Sequence, residues 1–306
     1  MKEIQERARL FLYRCARPLE LARYQYHFEG GSREAVLSAL AVYQNPDGGF
    51  GHALEADCWN PYSSPIQTWA ATQILREIGQ EDAAHPVVRG ILRYLLSGAD
   101  FDGHCWANSV KSNNDYPCAP WWRADPAEPS CAGYNPGASL AGFLLRYGER
   151  KGEAYALGLR VAREAYAGLF ERVPDMHESV CYAQLLEDAR AAGVQSTPEF
   201  DLERLTRELH CLARRCIEKD KAAWKSAYIC RPSMFVKSRE SEFYPENADM
   251  AEYECVFLEK MQLPDGSWPI SWGWDAHPEE WAVSKLWWKG HGAVENLMYL
   301  RGMQKL

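Results

Sequence analysis

Carboxylates, imidazoles and indoles are the side chains of this sequence whose spacing suggests chemistry. Glu55-Ala-Asp57, Asn247-Ala-Asp249 and Glu279-Glu280 are its acidic strings. Two or three acids gathered on an apolar wall raise the pKa of one carboxyl and turn it into a general acid. The plainer reading is that Glu55 and Asp57 cap a helix or bond backbone amides. Glu279 and Glu280 then sit in a first helical turn, where negative charge is favoured. His177 and Cys181 are four apart, with Asp175 just ahead. That spacing puts two metal ligands on one helix face, or a satisfied histidine beside a buried thiol. Trp281, Trp287, Trp288 and His291 form a further cluster, in which Trp281 and Trp288 share a face. Packing between rings explains such a cluster, and so does a ligand wall. Aromatic walls also stabilise cations.

The ten cysteines (15, 58, 105, 118, 131, 181, 211, 216, 230 and 255) contain no CxxC pair. The apolar run Leu10 to Tyr13 is too short for a signal-peptide core. These cysteines therefore read as reduced thiols of a cytoplasmic protein, most of them small buried apolar groups. No apolar stretch approaches the length of a membrane-spanning helix. The 306 residues carry a formal charge of −8, which argues against duplex nucleic acid as a partner. An apolar fraction of 47%, with 12 Trp, 16 Tyr and 10 Phe, disfavours disorder.

Helical periodicity sets the elements that position these groups. Segment 32–44 opens on Ser32 as a cap, and Val36, Leu37, Leu40 and Tyr43 form its stripe. Segment 64–78 opens on Ser64 with Pro65 at the first helical position, and Gly79 closes it. Further helices are expected at 3–15, 18–28, 86–97, 137–148, 153–171, 176–192, 201–218, 247–262, 279–289 and 291–304. No alternating strand run stands out, so the class is all-α. Residues 98–135 and 219–246 are long connections rich in aromatic residues, which suits ordered caps. No linker divides the chain, and a single domain over 1–306 is expected.

A repeat is the most specific signal. Residues 44–51 read QNPDGGFG and residues 262–268 read QLPDGSW, each after an amphipathic helix. Asp102-Gly103-His104-Cys105-Trp106 is a degraded third copy. Recurrence of this kind marks a repeated supersecondary unit. Proline presets its own backbone, aspartate bonds forward along the chain, and glycine takes positive φ. Such a corner ends a helix and lets Phe50 or Trp268 fold back onto it. Gln44 and Gln262 are left to bond the open backbone of the turn. On this reading the motif is a structural staple between helices, and the alternative is a direct catalytic role for its Gln or Asp.

These strings resemble the QW-type repeats of squalene and hopene cyclases. They equally resemble the Gly-Gly-Phe-Gly repeats of protein prenyltransferase β subunits. The match is strongest over QNPDGGFGHALEADCWNPYSSPIQTWAATQIL and next over YECVFLEKMQLPDGSW, together roughly a sixth of the chain. The whole chain is also similar to a group of small bacterial proteins that carry the repeat. The resemblance implies an α/α toroid of about five or six helical hairpins, with an outer ring around an inner ring and a central cavity. One scaffold hosts many functions, and the chemical motifs of these families are missing here. There is no Asp-x-Asp-Asp run, no Asp-rich magnesium helix and no Gly-Cys-Gly-Glu-Gln thioester string. Asp57 and Cys58 are adjacent, whereas the prenyltransferase zinc site has them at i and i+2.

In toroids of this kind, residues just past each corner rim the cavity. In the first copy these are His52, Glu55, Asp57, Trp59 and Asn60. In the last they are Trp272, Trp274, Asp275, His277, Glu279 and Glu280. The third segment adds His104, Asn108 and Asp115. Asp57, Glu55 and Asp275 are the expected acids, with His52 and His277 as alternates. Trp59, Trp106, Trp121, Trp122, Trp272 and Trp274 are the expected wall. Three functions compete. The first is an isoprenoid-handling protein, cyclase-like or transferase-like, whose partner is a small hydrophobic molecule. The second is a carbohydrate-active α/α barrel with two carboxylates about 5–10 Å apart. The third is a non-catalytic binding protein on the same fold, which the missing motifs favour. No cofactor and no metal are expected.

Overall fold

The computed structural model describes residues 2–125 and 133–306, so Cys131 lies outside the described residues. Within them the chain is all-α, with eleven α-helices and no extended pairing longer than an isolated bridge. No described helix is long and apolar enough to cross a membrane. The helices fall into two compact units, one contiguous (Ala41–Leu212) and one made of Met1–Leu40 with Ala213–Leu306.

The contiguous unit holds α4 (Pro65–Glu77), α5 (Pro86–Leu96), α6 (Gly137–Tyr147), α7 (Glu153–Leu169) and α8 (Met176–Ala191). Local chemistry sets its starts. Ser64 accepts the Gln67 N–H ahead of Pro65, and Asp175 accepts the Glu178 N–H at 2.9 Å. α6 is buried on nearly every side and packs between α7 and α8. Asp188 of α8 is fully buried and is held by Arg76 of α4 and by Arg146 of α6 at 3.2 Å.

The discontinuous unit holds α1 (Lys2–Cys15), α2 (Pro18–Phe28), α10 (Tyr244–Met261) and α11 (Pro278–Gly302). The unit boundaries fall in α3 (Arg33–Ala41) and α9 (Leu202–Cys216). Ser32 caps α3, its hydroxyl accepting the Ala35 N–H at 3.1 Å. Two helices expected at 279–289 and 291–304 are one element, because Gly290 does not end α11. It is a point of close approach instead: a Cβ there would stand 3.2 Å from the Ala16 side chain.

Both corners form as staples, in one register. Gln44 donates to Gly48 C=O at 2.9 Å and to Val87 C=O of α5 at 3.0 Å. Gln262 donates to Gly266 C=O at 2.9 Å and to Ile4 C=O of α1 at 2.9 Å. Gly48 and Gly266 take φ of +99° and +95°. Each lies so close to the clasped helix that a Cβ would sit 2.1 Å from a carbonyl, of Gly90 and of Arg7 respectively. In both copies that carbonyl belongs to the residue three past the one that Gln binds. Asp47 and Asp265 accept N–H groups two residues on, at 2.9 Å each. Phe50 is fully buried, and Trp268 donates to Leu258 C=O of α10 at 2.8 Å. The third copy keeps the turn, since Asp102 accepts His104 N–H at 2.8 Å. Arg160 of α7 donates to its Gly103 C=O at 2.5 Å.

Candidate functional site

Two helices of the discontinuous unit carry charge into an otherwise apolar surrounding. On α2, Glu20 and Arg23 are each 1% exposed, and Arg17 stands just before the helix. On α11, Trp287, His291 and Glu295 recur at steps of four and so share a face. Arg17 grips Glu20 through two hydrogen bonds, 2.9 and 2.6 Å, and lies over the Trp287 ring at 5.4 Å. Arg23 donates to Glu295 with one nitrogen and meets His291 Nδ1 at 3.1 Å with another.

A guanidinium cannot accept a hydrogen bond, so Nδ1 of His291 is the acceptor and its proton resides on Nε2. Burial lowers the His291 pKa, and the Arg23 charge lowers it further. Burial pushes the Glu295 carboxyl up, but Arg23, His291 and Lys237 outweigh it and bring its pKa to about 2. Burial likewise opposes ionisation of Glu20, and Arg17 overrides it. With His291 neutral, the two arginines and two glutamates balance. Burial is the leading influence on His291 and Glu295 even though 36% and 40% of their side chains remain open.

Aromatic rings continue the wall. Trp288 meets His291 edge-on at 5.5 Å and Trp272 at 5.3 Å, and Trp272 meets Tyr228 at 5.4 Å. Among the described residues, the buried indole N–H of Trp288 has no hydrogen-bond partner.

No protein-family model, curated protein or solved structure matches this chain.

The residues expected from the sequence are spread over several settings. In the contiguous unit, His52 is exposed at φ +58° with its ring 3.0 Å from Asn45 Oδ1, and Ala53 beside it has φ +59°. Two successive non-glycine residues in that region are strained. Glu55 is half-buried and Asp57 is 2% exposed. Trp59 is half-buried, and its backbone N–H donates to Pro117 C=O at 3.0 Å. Trp106 is fully buried against Phe101, Trp121 is exposed and Trp122 is half-buried. In the discontinuous unit, Asp275 is exposed and His277 precedes α11. Trp274 is buried between His277 and Trp281, and Trp272 belongs to the aromatic wall. His177 lies 3.8 Å from Asp175, while Cys181 turns toward Asn135.

Arg17, Glu20, Arg23 and Glu295 were not anticipated. Their signal was present: Arg, Glu and Arg at steps of three from residue 17, and His and Glu at a step of four from residue 291.

Proposed function

We propose that this protein is an α/α toroid that binds an oxygen-bearing hydrophobic molecule of the isoprenoid type against the wall of Tyr228, Trp272, Trp288 and His291. The toroid reading rests on the corners. The corner after α3 clasps α5, and the corner after α5 is held by α7. The corner after α10 clasps α1, which is two elements on if the order continues from α11 to α1. That cyclic step is what a closed ring of hairpins needs.

The ligand reading rests on one observation, the run of touching rings that ends in His291, Arg23 and Glu295. The rings provide an apolar face. The His291 Nε2–H, 4.0 Å from Glu295 Oε1 and so beyond hydrogen-bond reach of it, is a donor for an oxygen of the ligand. Both arginines are committed to carboxylates, so a diphosphate gains little from them. Glu20 and Glu295 are held as carboxylates and cannot serve as proton donors. This disfavours glycoside cleavage at the wall, which requires one protonated acid. It also separates binding from any acid-initiated cyclisation, for which buried Asp57 is the proposed donor.

Titration with farnesol and with farnesyl diphosphate, followed by tryptophan fluorescence, tests the reading. Farnesol is expected to bind, and Trp288→Ala to weaken it tenfold or more, about 1.4 kcal/mol. Absence of binding by farnesol, or unchanged affinity in Trp288→Ala, overturns it.

A further inference from the structure

Cys58 and Cys118 oppose each other across an isolated antiparallel bridge in the contiguous unit. Trp59 N–H donates to Pro117 C=O at 3.0 Å, and Ala119 N–H donates to Asp57 C=O at 2.9 Å. These bonds flank the cysteines, so the two form a non-hydrogen-bonded pair. Opposed Cα atoms in such a pair are about 4.5 Å apart, with side chains on the same face. A disulfide spans Cα separations of about 4.4–6.8 Å. Both cysteines have no exposed surface. Both thiols also converge on one buried residue. Cys58 Sγ donates to Asn113 Oδ1 at 3.3 Å, and Cys118 Sγ donates to Asn113 C=O at 3.4 Å.

We propose that Cys58 and Cys118 are a redox pair, oxidised to a disulfide by a small hydroperoxide and restored by a low-molecular-weight dithiol. As the loop opens, one sulfur attacks the hydroperoxide. Its O–O bond breaks, an alcohol (water, from hydrogen peroxide) departs, and a sulfenic acid forms. The second sulfur then displaces that hydroxyl as water, closing the S–S bond. In sum, two thiols and one hydroperoxide give one disulfide, one alcohol and one water. The bond would tie the segment after the first corner to the loop that carries Trp121 and Trp122.

Burial raises both thiols, that of Cys58 to about 12. Alkylating reagents attack thiolates, so in the folded protein they should spare this pair and take exposed Cys211 first. Oxidation by a hydroperoxide also runs through the thiolate, so it too waits for the loop to open and the link forms slowly in the folded protein.

The full chain would be treated with hydrogen peroxide, denatured in N-ethylmaleimide, digested without reductant and mapped by mass. The expected product is a peptide pair linked through Cys58 and Cys118 that dithiothreitol abolishes. The oxidised protein should melt several degrees higher, since the link closes a loop of about 60 residues in the denatured chain. Cys211→Ser should retain that rise and Cys118→Ala should lose it. The proposal fails if Cys58 and Cys118 are recovered as maleimide adducts, or if the cross-links join other cysteines instead. The map of the unaltered chain decides the matter should Cys118→Ala fold poorly.

Discussion

His291 is the side chain on which the wall turns. Its Nδ1 faces a guanidinium, so protonating the ring places a proton against Arg23. Its folded pKa lies below the ordinary 6.5. The unfolded chain therefore binds the proton more readily, and stability falls as pH drops below that value. Glu295 follows at lower pH. Its stabilisation is complete above about 4.5 and disappears as pH approaches about 2. Glu254 runs the other way, because burial raises its pKa against the pull of Arg231 and Ser233. Comparison with His291→Gln isolates the imidazole, since glutamine can still accept from Arg23. Urea midpoints between pH 7 and pH 5 should fall for the native chain and fall less for His291→Gln. Equal slopes would refute the neutral imidazole. The rings of this cluster were visible in the sequence, and their setting was not. Nothing in Trp288-Lys-Gly-His291 indicates that a guanidinium 268 positions away will fix the tautomer.

The corners were legible because each of their residues acts locally. Proline, aspartate and glycine build the turn, and the aspartate–amide bond two residues on follows from chemistry within the string. The glutamine's second bond was hidden, because its partner is a bare carbonyl and every residue of a helix has one. The Ile4 carbonyl, in the first turn of α1, takes the Gln262 amide on its second lone pair, beside the helix's own i+4 bond. Gln262→Glu puts an acceptor where the amide donates to Ile4 and Gly266. We expect it to cost about 1–3 kcal/mol in denaturant unfolding, and an unchanged midpoint would contradict the staple. Gly290 was misleading for the opposite reason. Glycine usually weakens a helix, and here its missing Cβ admits Ala16.

Across the whole molecule, the feature least visible in sequence is the role of α1. It has no motif, yet it is to the last corner what α5 is to the first. Four of its residues, Ile4, Ala8, Phe11 and Leu12, are buried. Removing residues 2–15 should collapse amide-exchange protection in α10 and α11, and the corresponding peptide added back should restore it. Intact protection of α11 in the shortened chain would refute that role. All-α character and most helix positions followed from periodicity. The pairing of the first helix with a corner near the last did not, because periodicity describes one element at a time. There is a consequence for biosynthesis. A ribosome releases α1 early, and Gln262 emerges 258 residues after Ile4. At bacterial or eukaryotic elongation rates that is a wait of roughly 10–50 seconds. Through that interval α1 has α2 to pack against but lacks α11, so part of its greasy stripe stays uncovered while the chain is made.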